Sequence, residues 1–162
     1  MFAASAVIGF GQGFQPVCGF NYGAGLYERV KKAFWFCVKF ATLFLIVAGV
    51  VMFIFAPTII SWFRKDDLQV IEIGAFALRC QWVTIFLTGL IMLSNMLLQT
   101  IGKALPATIV SMSRQFIFFI PALFILGSLF SLTGVEIAQA VADVLAFALA
   151  LPVVLRELKK MK

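Results

Sequence analysis

The stretch AFWFCVKFATLFLIVAGVVMFIFA, residues 33–56, decides the fold class of this chain. It contains one charged residue, Lys39, and Pro57 follows it directly. A helix needs about 20 mostly apolar residues to cross a hydrocarbon core of about 30 Å. Lys39 lies near the start of the stretch, where its long side chain can reach the lipid headgroups. The stretch therefore predicts a membrane-spanning helix.

Four further segments have the same character. In hydrocarbon every backbone polar group must be bonded internally, so each such segment is predicted to be helical. The first begins at the second residue, and we expect it to lack its outer end. The five predicted spans are residues 2–20, 33–56, 81–101, 104–127 and 135–155. The sequence thus predicts an all-α integral membrane fold.

Composition excludes a soluble domain. The chain has 162 residues, of which 63% are hydrophobic and 12% are charged, with a mean hydropathy of +1.08. An ordinary soluble domain is about half apolar and about a quarter charged. The net charge of +6 does not indicate nucleic-acid binding, because the basic residues lie at the ends of apolar runs and form no patch with interleaved aromatics. We expect membrane lipids, and no nucleic acid, as partners.

The residues that usually carry catalysis or bind metals are scarce. The chain has no histidine, the commonest metal ligand and general base. Its three cysteines, Cys18, Cys37 and Cys80, lie far apart inside apolar segments and form no CxxC motif. We expect no catalytic residue, no metal site and no cofactor, and hence not an enzyme.

The basic residues predict an orientation. Membrane proteins carry an excess of Lys and Arg in their cytoplasmic loops. Two basic residues, Arg64 and Lys65, lie in the loop that the spans place on the opposite side. The other side has eight, which are Arg29, Lys31, Lys32, Lys103, Arg156, Lys159, Lys160 and Lys162. The carboxyl terminus is therefore predicted to be cytoplasmic.

Polar residues inside the spans are the first set of candidate site residues. At 100° per residue, those of the third span fall within an arc of roughly 60°. In the first span, Gln12 and Gln15 share a face with Gly19. Two interpretations stay open, namely hydrogen bonding between helices or the wall of a water-filled path. The third-span candidates are Gln81, Thr84, Thr88, Asn95 and Gln99.

Charges within the last two spans are the second set of candidates. Glu136, Gln139 and Asp143 share one face of the last span, beside a strip of alanines at 138, 142, 146 and 150. Arg114 also lies deep in its span. A carboxylate at this depth must be paired, protonated or hydrated. Either Asp143 pairs with Arg114 and holds two helices together, or it takes part in moving ions.

Two segments carry a resemblance to a known family. The stretch GFGQGFQPVCGFNYGAG, residues 9–25, with ERVKKAF at 28–34, resembles the eighth-helix region of MATE (multidrug and toxic compound extrusion) transporters, especially their MepA-like bacterial branch. SNMLLQTIGKALPA, residues 94–107, is similar to the junction between the family's tenth and eleventh helices. The residues that match the motif are Gly11, Gln12, Gly13, Gln15, Pro16, Gly19, Asn21, Tyr22, Gly23 and Ala24.

The resemblance implies helices eight to twelve of a twelve-helix transporter in a bacterial cell membrane, with the amino-terminal half of the transporter as a missing partner. Intact relatives exchange H⁺ or Na⁺ for organic-cation drugs through a cavity between two halves. We expect the isolated chain to be inactive.

Relatives that couple through the second half use acidic residues on helices seven, eight and ten. The matching spans here have none, so coupling through the first half is favoured, with Asp143 as second choice.

Two alternatives remain. A lipid-linked oligosaccharide flippase of the same superfamily would need several cationic side chains in its cavity, and only Arg114 lies deep enough. A small membrane scaffold or assembly protein would need no polar interior stripe. Substitutions at Gln81, Asn95 and Gln99 discriminate, because a pathway role predicts lost transport and a packing role predicts lost folding.

Overall fold

The computed structural model describes residues 2–63 and 68–161, without the side chains of residues 2–4, 57, 59–63, 68–73, 75, 77, 130–133 and 136. The described chain contains α-helices, one π-helical segment and no strand, so the all-α prediction is confirmed. The elements are α1 (Phe2–Gly23), α2 (Tyr27–Phe63), α3 (Leu68–Thr100), α4 (Ala104–Met112), the π-helical segment (Ser113–Phe118) and α5 (Phe119–Lys160).

Four described segments are long and apolar enough to cross a membrane: Tyr27–Ala56, Leu78–Thr100, Ala104–Leu129 and Ile137–Lys160. They correspond to the last four predicted spans with shifted ends. The first predicted span lies in α1, whose 22 residues would extend about 33 Å. α1 is less apolar because Gln12, Gln15 and several glycines interrupt it.

Helices α1 and α3 end in the same type of turn. The Leu26 amide donates to the Asn21 carbonyl at 2.9 Å and the Gly25 amide to the Tyr22 carbonyl at 3.1 Å. The same pattern closes α3, where Gly102 has a φ of 74°, against 73° for Gly25. This left-handed ending, which glycine adopts without strain, bonds the last helical carbonyls. It stops each helix sharply before the next one starts.

Glycines bring α2 and α3 close together. A Cβ atom on Gly89 would lie 3.2 Å from Leu45 Cδ1, and one on Gly49 would lie 3.4 Å from Ile85 Cγ2. Because small residues let two helix backbones approach, they favour packing between membrane helices. α3 lies at the centre of the bundle, in contact with α1, α2, α4 and α5, and Leu45 of α2, at 1% exposed, is buried against it.

The chain reverses direction inside α5. A Cβ atom on Gly134 would collide with the Leu126 carbonyl, and Gly127 lies next to Val135. Residues eight apart in a straight helix would be separated by about 12 Å. The backbone therefore folds back between residues 127 and 134. The predicted turn at 128–133 falls inside this reversal, and the two predicted spans on either side lie against each other.

The second half of α5 packs through the strip of small residues. Every member of the strip has an exposed fraction of 0%: Ala138, Ala142, Ala146 and Ala150. Val154, one step further along the same row, is also fully buried. Residues four apart lie on one face of a helix, so this row forms a smooth surface. It lets the last span pack closely against its neighbours.

A π-helical segment precedes the reversal. Pro121 follows it by three residues and lacks the amide hydrogen that the Ile117 carbonyl would accept in an α-helix. In a regular α-helix the proline ring would also clash with that carbonyl, and a wider helical turn avoids the clash. Such bulges rotate the side chains that they carry and are frequent at functional sites. Arg114 and Gln115 lie in this segment.

Candidate functional site

A cleft of about 550 Å³ opens between α1, α3 and the helix formed by α4 and the π-helical segment. Its apolar wall includes Met92, Met96, Met112 and Phe116, and Arg114 is the one charged residue among the described residues that line it. Its polar wall consists mainly of side-chain amides. The polar lining residues are Gln12, Gln15, Asn95, Gln99, Ser111, Arg114 and Gln115.

The structure brings four of the predicted pathway residues together in this cleft: Gln12, Gln15, Asn95 and Gln99. Two of them form a hydrogen-bonded chain. Gln99 Nε2 donates to Asn95 Oδ1 at 3.0 Å, and Asn95 Nδ2 donates to Ser111 Oγ at 3.0 Å. Each amide keeps further donors and acceptors beyond this chain. These hydrogen bonds orient the amides of the cleft wall, and the remaining donors and acceptors are available to a ligand in the cleft.

The other three candidates of the third predicted span, which lies in α3, are outside the cleft. Gln81 is exposed and does not line the cleft. Thr84 is buried, and its hydroxyl donates to the Gln81 carbonyl at 3.4 Å. Thr88 is 1% exposed, and its hydroxyl has no hydrogen-bond partner in the described part of the chain. Two of the five candidates therefore line the cleft, two are buried in the bundle and one is exposed away from the cleft.

Arg114 and Asp143 form an ion pair behind the cleft wall. Arg114 Nε donates to Asp143 Oδ1 at 2.7 Å, and Gln139 Nε2 donates to the same oxygen at 3.2 Å. The Asp143 side chain is 1% exposed, whereas that of Arg114 is 20% exposed. The Asp143 carboxylate is thus buried inside the bundle, and the Arg114 side chain lies between it and the cleft. The third predicted charge, Glu136, has its side chain outside the described residues.

The motif residues shape α1 and its end. A Cβ atom on Gly11 would collide with Met96 Sδ, and one on Gly19 would lie 3.2 Å from Thr100 Cγ2, so both glycines let α1 approach α3. Pro16 lies inside α1, and Gly13 faces open space. The last residues of the motif form the end of α1 and the start of the turn after it, with Asn21 Nδ2 donating to the Val17 carbonyl at 2.8 Å. Asn21, Tyr22 and Gly23 close the helix, and Ala24 begins the turn.

Sequence reasoning missed Ser111 and Gln115 as lining residues. With Arg114 they stand at i, i+3 and i+4, which is the spacing of one helix face. That periodicity was available in the sequence. Their position opposite Asn95 depends on how the fourth span packs against α3. Among the described residues, no group of three or more His, Cys, Asp or Glu side chains could hold a metal ion.

Comparison with known proteins agrees with this architecture. Multidrug export protein MepA of Staphylococcus haemolyticus is 27% identical over 148 residues, which are 91% of this chain and 32% of MepA. The MATE transporter VcmN of Vibrio cholerae, in its bent form, has the same fold with a TM-score of 0.90 at 21% identity. That match covers 99% of this chain and 36% of VcmN.

A third relative is nearer in sequence. The MATE multidrug transporter DinF-BH, solved in complex with a rhodamine dye, is 32% identical with a TM-score of 0.81, over 97% of this chain and 35% of DinF-BH. This chain spans about a third of the length of the relatives that it matches. The family model called MatE matches residues 1–125. The family resemblance predicted from the motifs is confirmed, and this chain, a multi-pass membrane protein, belongs to the MatE family of multidrug transporters, which are not enzymes.

Proposed function

We propose that this chain forms part of a secondary-active efflux transporter that exports organic cations in exchange for H⁺ or Na⁺. The observation that carries the proposal is the wall of amides and methionines in the cleft of about 550 Å³. Ligand sites are typically concave and mostly apolar, with a few polar groups that orient the ligand. A relative, DinF-BH, was solved with a rhodamine dye bound. We propose that this cleft is the chain's share of a drug-binding cavity.

The chemistry of the wall suits varied ligands. Methionine side chains are flexible and polarisable, so Met92, Met96 and Met112 can adapt to different shapes. The amides of Asn95 and Gln99 donate and accept, and so bind polar groups of either kind. Adaptable surfaces of this type are characteristic of promiscuous binding sites.

The charge of Arg114 would repel an organic cation if it stood alone. Asp143 compensates it at 2.7 Å, so the pair is neutral overall. An adjacent opposite charge cancels most of the field of a cation at a distance. The cleft can therefore accept a cationic ligand although the one charged residue among its described lining residues is basic.

Coupling to H⁺ or Na⁺ needs a group that binds the ion. The described residues that line the cleft include no carboxylate. We therefore place the coupling carboxylate in polypeptide that corresponds to the rest of the relatives' length, with Asp143 as second choice. Transport should require that polypeptide, so the 162-residue chain alone should not transport substrates.

We propose that the chain lies in a bacterial cell membrane with its carboxyl terminus in the cytoplasm, as the basic loops indicate.

Ligand binding by the chain tests the proposal. Binding of a fluorescent cationic rhodamine dye to the chain in lipid nanodiscs is measured by fluorescence polarisation. Asn95→Leu and Gln99→Leu should each weaken binding about five- to tenfold, because each removes polar groups of the cleft wall. Thr88→Val is the matched control, since it changes a polar residue of the same helix outside the cleft.

The control and the thermal unfolding midpoint separate binding from folding. Binding should be weakened in the Asn95 and Gln99 variants at an unchanged midpoint and retained at wild-type strength in Thr88→Val. Wild-type chain that unfolds normally but does not bind the dye would contradict the proposal. An equal loss of binding in all three variants would contradict it as well.

A further inference from the structure

The outer face of α2 combines basic and apolar side chains. Val30, Phe34 and Ala41 are buried on the opposite face, where α2 packs into the bundle. Outward-facing positions three or four residues apart form a continuous line along a helix. We call this line the α2 outer stripe; its residues are Arg29, Lys32, Phe36, Lys39 and Leu43.

The stripe points away from the bundle. Phe36 is 66% exposed and Leu43 is 61% exposed, and all three basic residues are exposed. The segment Tyr27–Ala56 that contains it is long and apolar enough to span a membrane. None of the described helices covers the stripe, and the uncovered surface of a membrane-spanning helix faces lipid. The stripe therefore meets lipid along its apolar part and headgroups at its basic end.

The cations of the stripe have no carboxylate partner in the described part of the chain. The one nearby acidic residue, Glu28, accepts from Lys31 Nζ at 2.9 Å. The other described ion pairs join Arg114 to Asp143 and Lys160 to Glu157. Arg29, Lys32 and Lys39 thus form no ion pair with a described carboxylate, although the charge of Glu28 also acts on Lys32.

The missing ion pair matters most for Lys39, because this residue lies deepest in the membrane-spanning segment. It lies seven residues beyond Lys32, on the same face and about 10 Å further into the apolar segment. A charged group at this depth is unfavourable unless its side chain extends to the headgroup layer or meets an opposite charge. Extension towards the headgroups brings its ammonium close to that of Lys32. Two ammonium groups then converge at the level where lipid phosphates lie.

We propose that the α2 outer stripe binds the phosphate of an anionic phospholipid in the leaflet at the α1–α2 end of the bundle. Lys32 and Lys39 donate to the phosphate oxygens, and Arg29 adds a third charge nearby. Leu43, which lies deeper than the three basic residues, and Phe36, which lies between Lys32 and Lys39, contact the acyl chains. A zwitterionic lipid fits less well because its own ammonium group opposes the basic cluster.

Native mass spectrometry of the purified chain tests the site. The chain is titrated with phosphatidylglycerol or phosphatidylcholine of identical acyl chains. The wild type should prefer phosphatidylglycerol. The double variant Lys32→Gln with Lys39→Gln should lose roughly twenty-fivefold in that preference, about fivefold for each lysine. The double variant Lys32→Arg with Lys39→Arg should retain it.

Lys31→Gln is the matched control. It removes the same charge one residue away, but Lys31 is already paired with Glu28. Its preference for phosphatidylglycerol should change less than twofold. A control that loses as much as one stripe lysine would overturn the proposal, because net charge alone would then explain the binding.

Two further outcomes also decide against the site. Equal binding of the two lipids by the wild type would refute charge recognition. Displacement of phosphatidylglycerol by millimolar inorganic phosphate would show a site for free phosphate instead of a lipid. Dye binding at the cleft, which these variants leave intact, reports on the proposed function separately.

Discussion

Arg114 Nε donates to Asp143 Oδ1 at 2.7 Å, although 29 residues separate the two along the chain. The contact joins the π-helical segment to the second half of α5, across the reversal of the backbone. It is made through one nitrogen and one oxygen, and Asp143 Oδ2 is buried without a described partner. The pair is therefore a structural link whose carboxylate is not fully bonded.

Asp143→Asn should destabilise the protein because it leaves the Arg114 cation without its counter-charge. Breaking one side of a buried ion pair costs about 3 kcal/mol, at the low end of the usual range here because Arg114 is 20% exposed. We expect a lower thermal unfolding midpoint and reduced abundance in the membrane. Both can be followed by fluorescence-detected size-exclusion chromatography after heating.

The double variant Asp143→Asn with Arg114→Gln supplies the comparison. Removing both charges leaves no uncompensated ion, so it should be more stable than Asp143→Asn alone. A double variant as unstable as the single one would show that the pair contributes by packing and not by charge. If the single variant folds normally but transport in a full-length homologue loses its pH dependence, Asp143 acts in ion movement instead.

Thr88→Val should be neutral or stabilising by about 1 kcal/mol. The Thr88 hydroxyl is buried without a described partner, and an unsatisfied buried polar group is unfavourable. Valine has almost the same shape and no hydroxyl. The measurement is the unfolding midpoint in detergent. A clear loss of stability would show that the hydroxyl has a partner, such as bound water, and would return Thr88 to the candidates for a hydrated path.

The fold class could be predicted because it depends on one quantity, the length of the apolar runs. Apolar runs long enough to cross hydrocarbon must become helices, so segments such as 33–56 could be found from the sequence. The ends of the helices were harder to predict, because α2 continues past Pro57 to Phe63. The π-helical segment was missed because it depends on how Pro121 strains the preceding turn.

Only part of the candidate site could be predicted from the sequence. A helical wheel places Thr88 and Asn95 on one face of α3 because the angle between residues is fixed. It does not show which neighbour covers each level of that face. The structure encloses Thr88 and opens the cleft at Asn95. Ser111 became visible as a lining residue once α4 was placed against α3, through its hydrogen bond with Asn95.

Lysine labelling should reveal the orientation. Lys32 and Lys160 lie at the basic end of the bundle, which is predicted to be cytoplasmic. A membrane-impermeant amine reagent should therefore label both only after the cells are permeabilised. It should label Lys65, which lies outside the described residues, in intact cells. Peptide mass spectrometry identifies the labelled sites. Labelling of Lys32 but not Lys65 in intact cells would reverse the predicted orientation.

Gly134→Ala should prevent the close reversal in α5. Gly134 is buried, and an added Cβ would meet the backbone carbonyl of Leu126, which cannot rotate away as a side chain can. Overpacking against a rigid group costs about 3 kcal/mol, so we expect a marked fall in the unfolding midpoint. Gly13→Ala is the control, since a Cβ on Gly13 meets nothing within 4 Å. It should be neutral or slightly stabilising, because alanine favours the helix. If Gly134→Ala were as stable as Gly13→Ala, the two arms of the reversal would have to lie further apart than the structure places them.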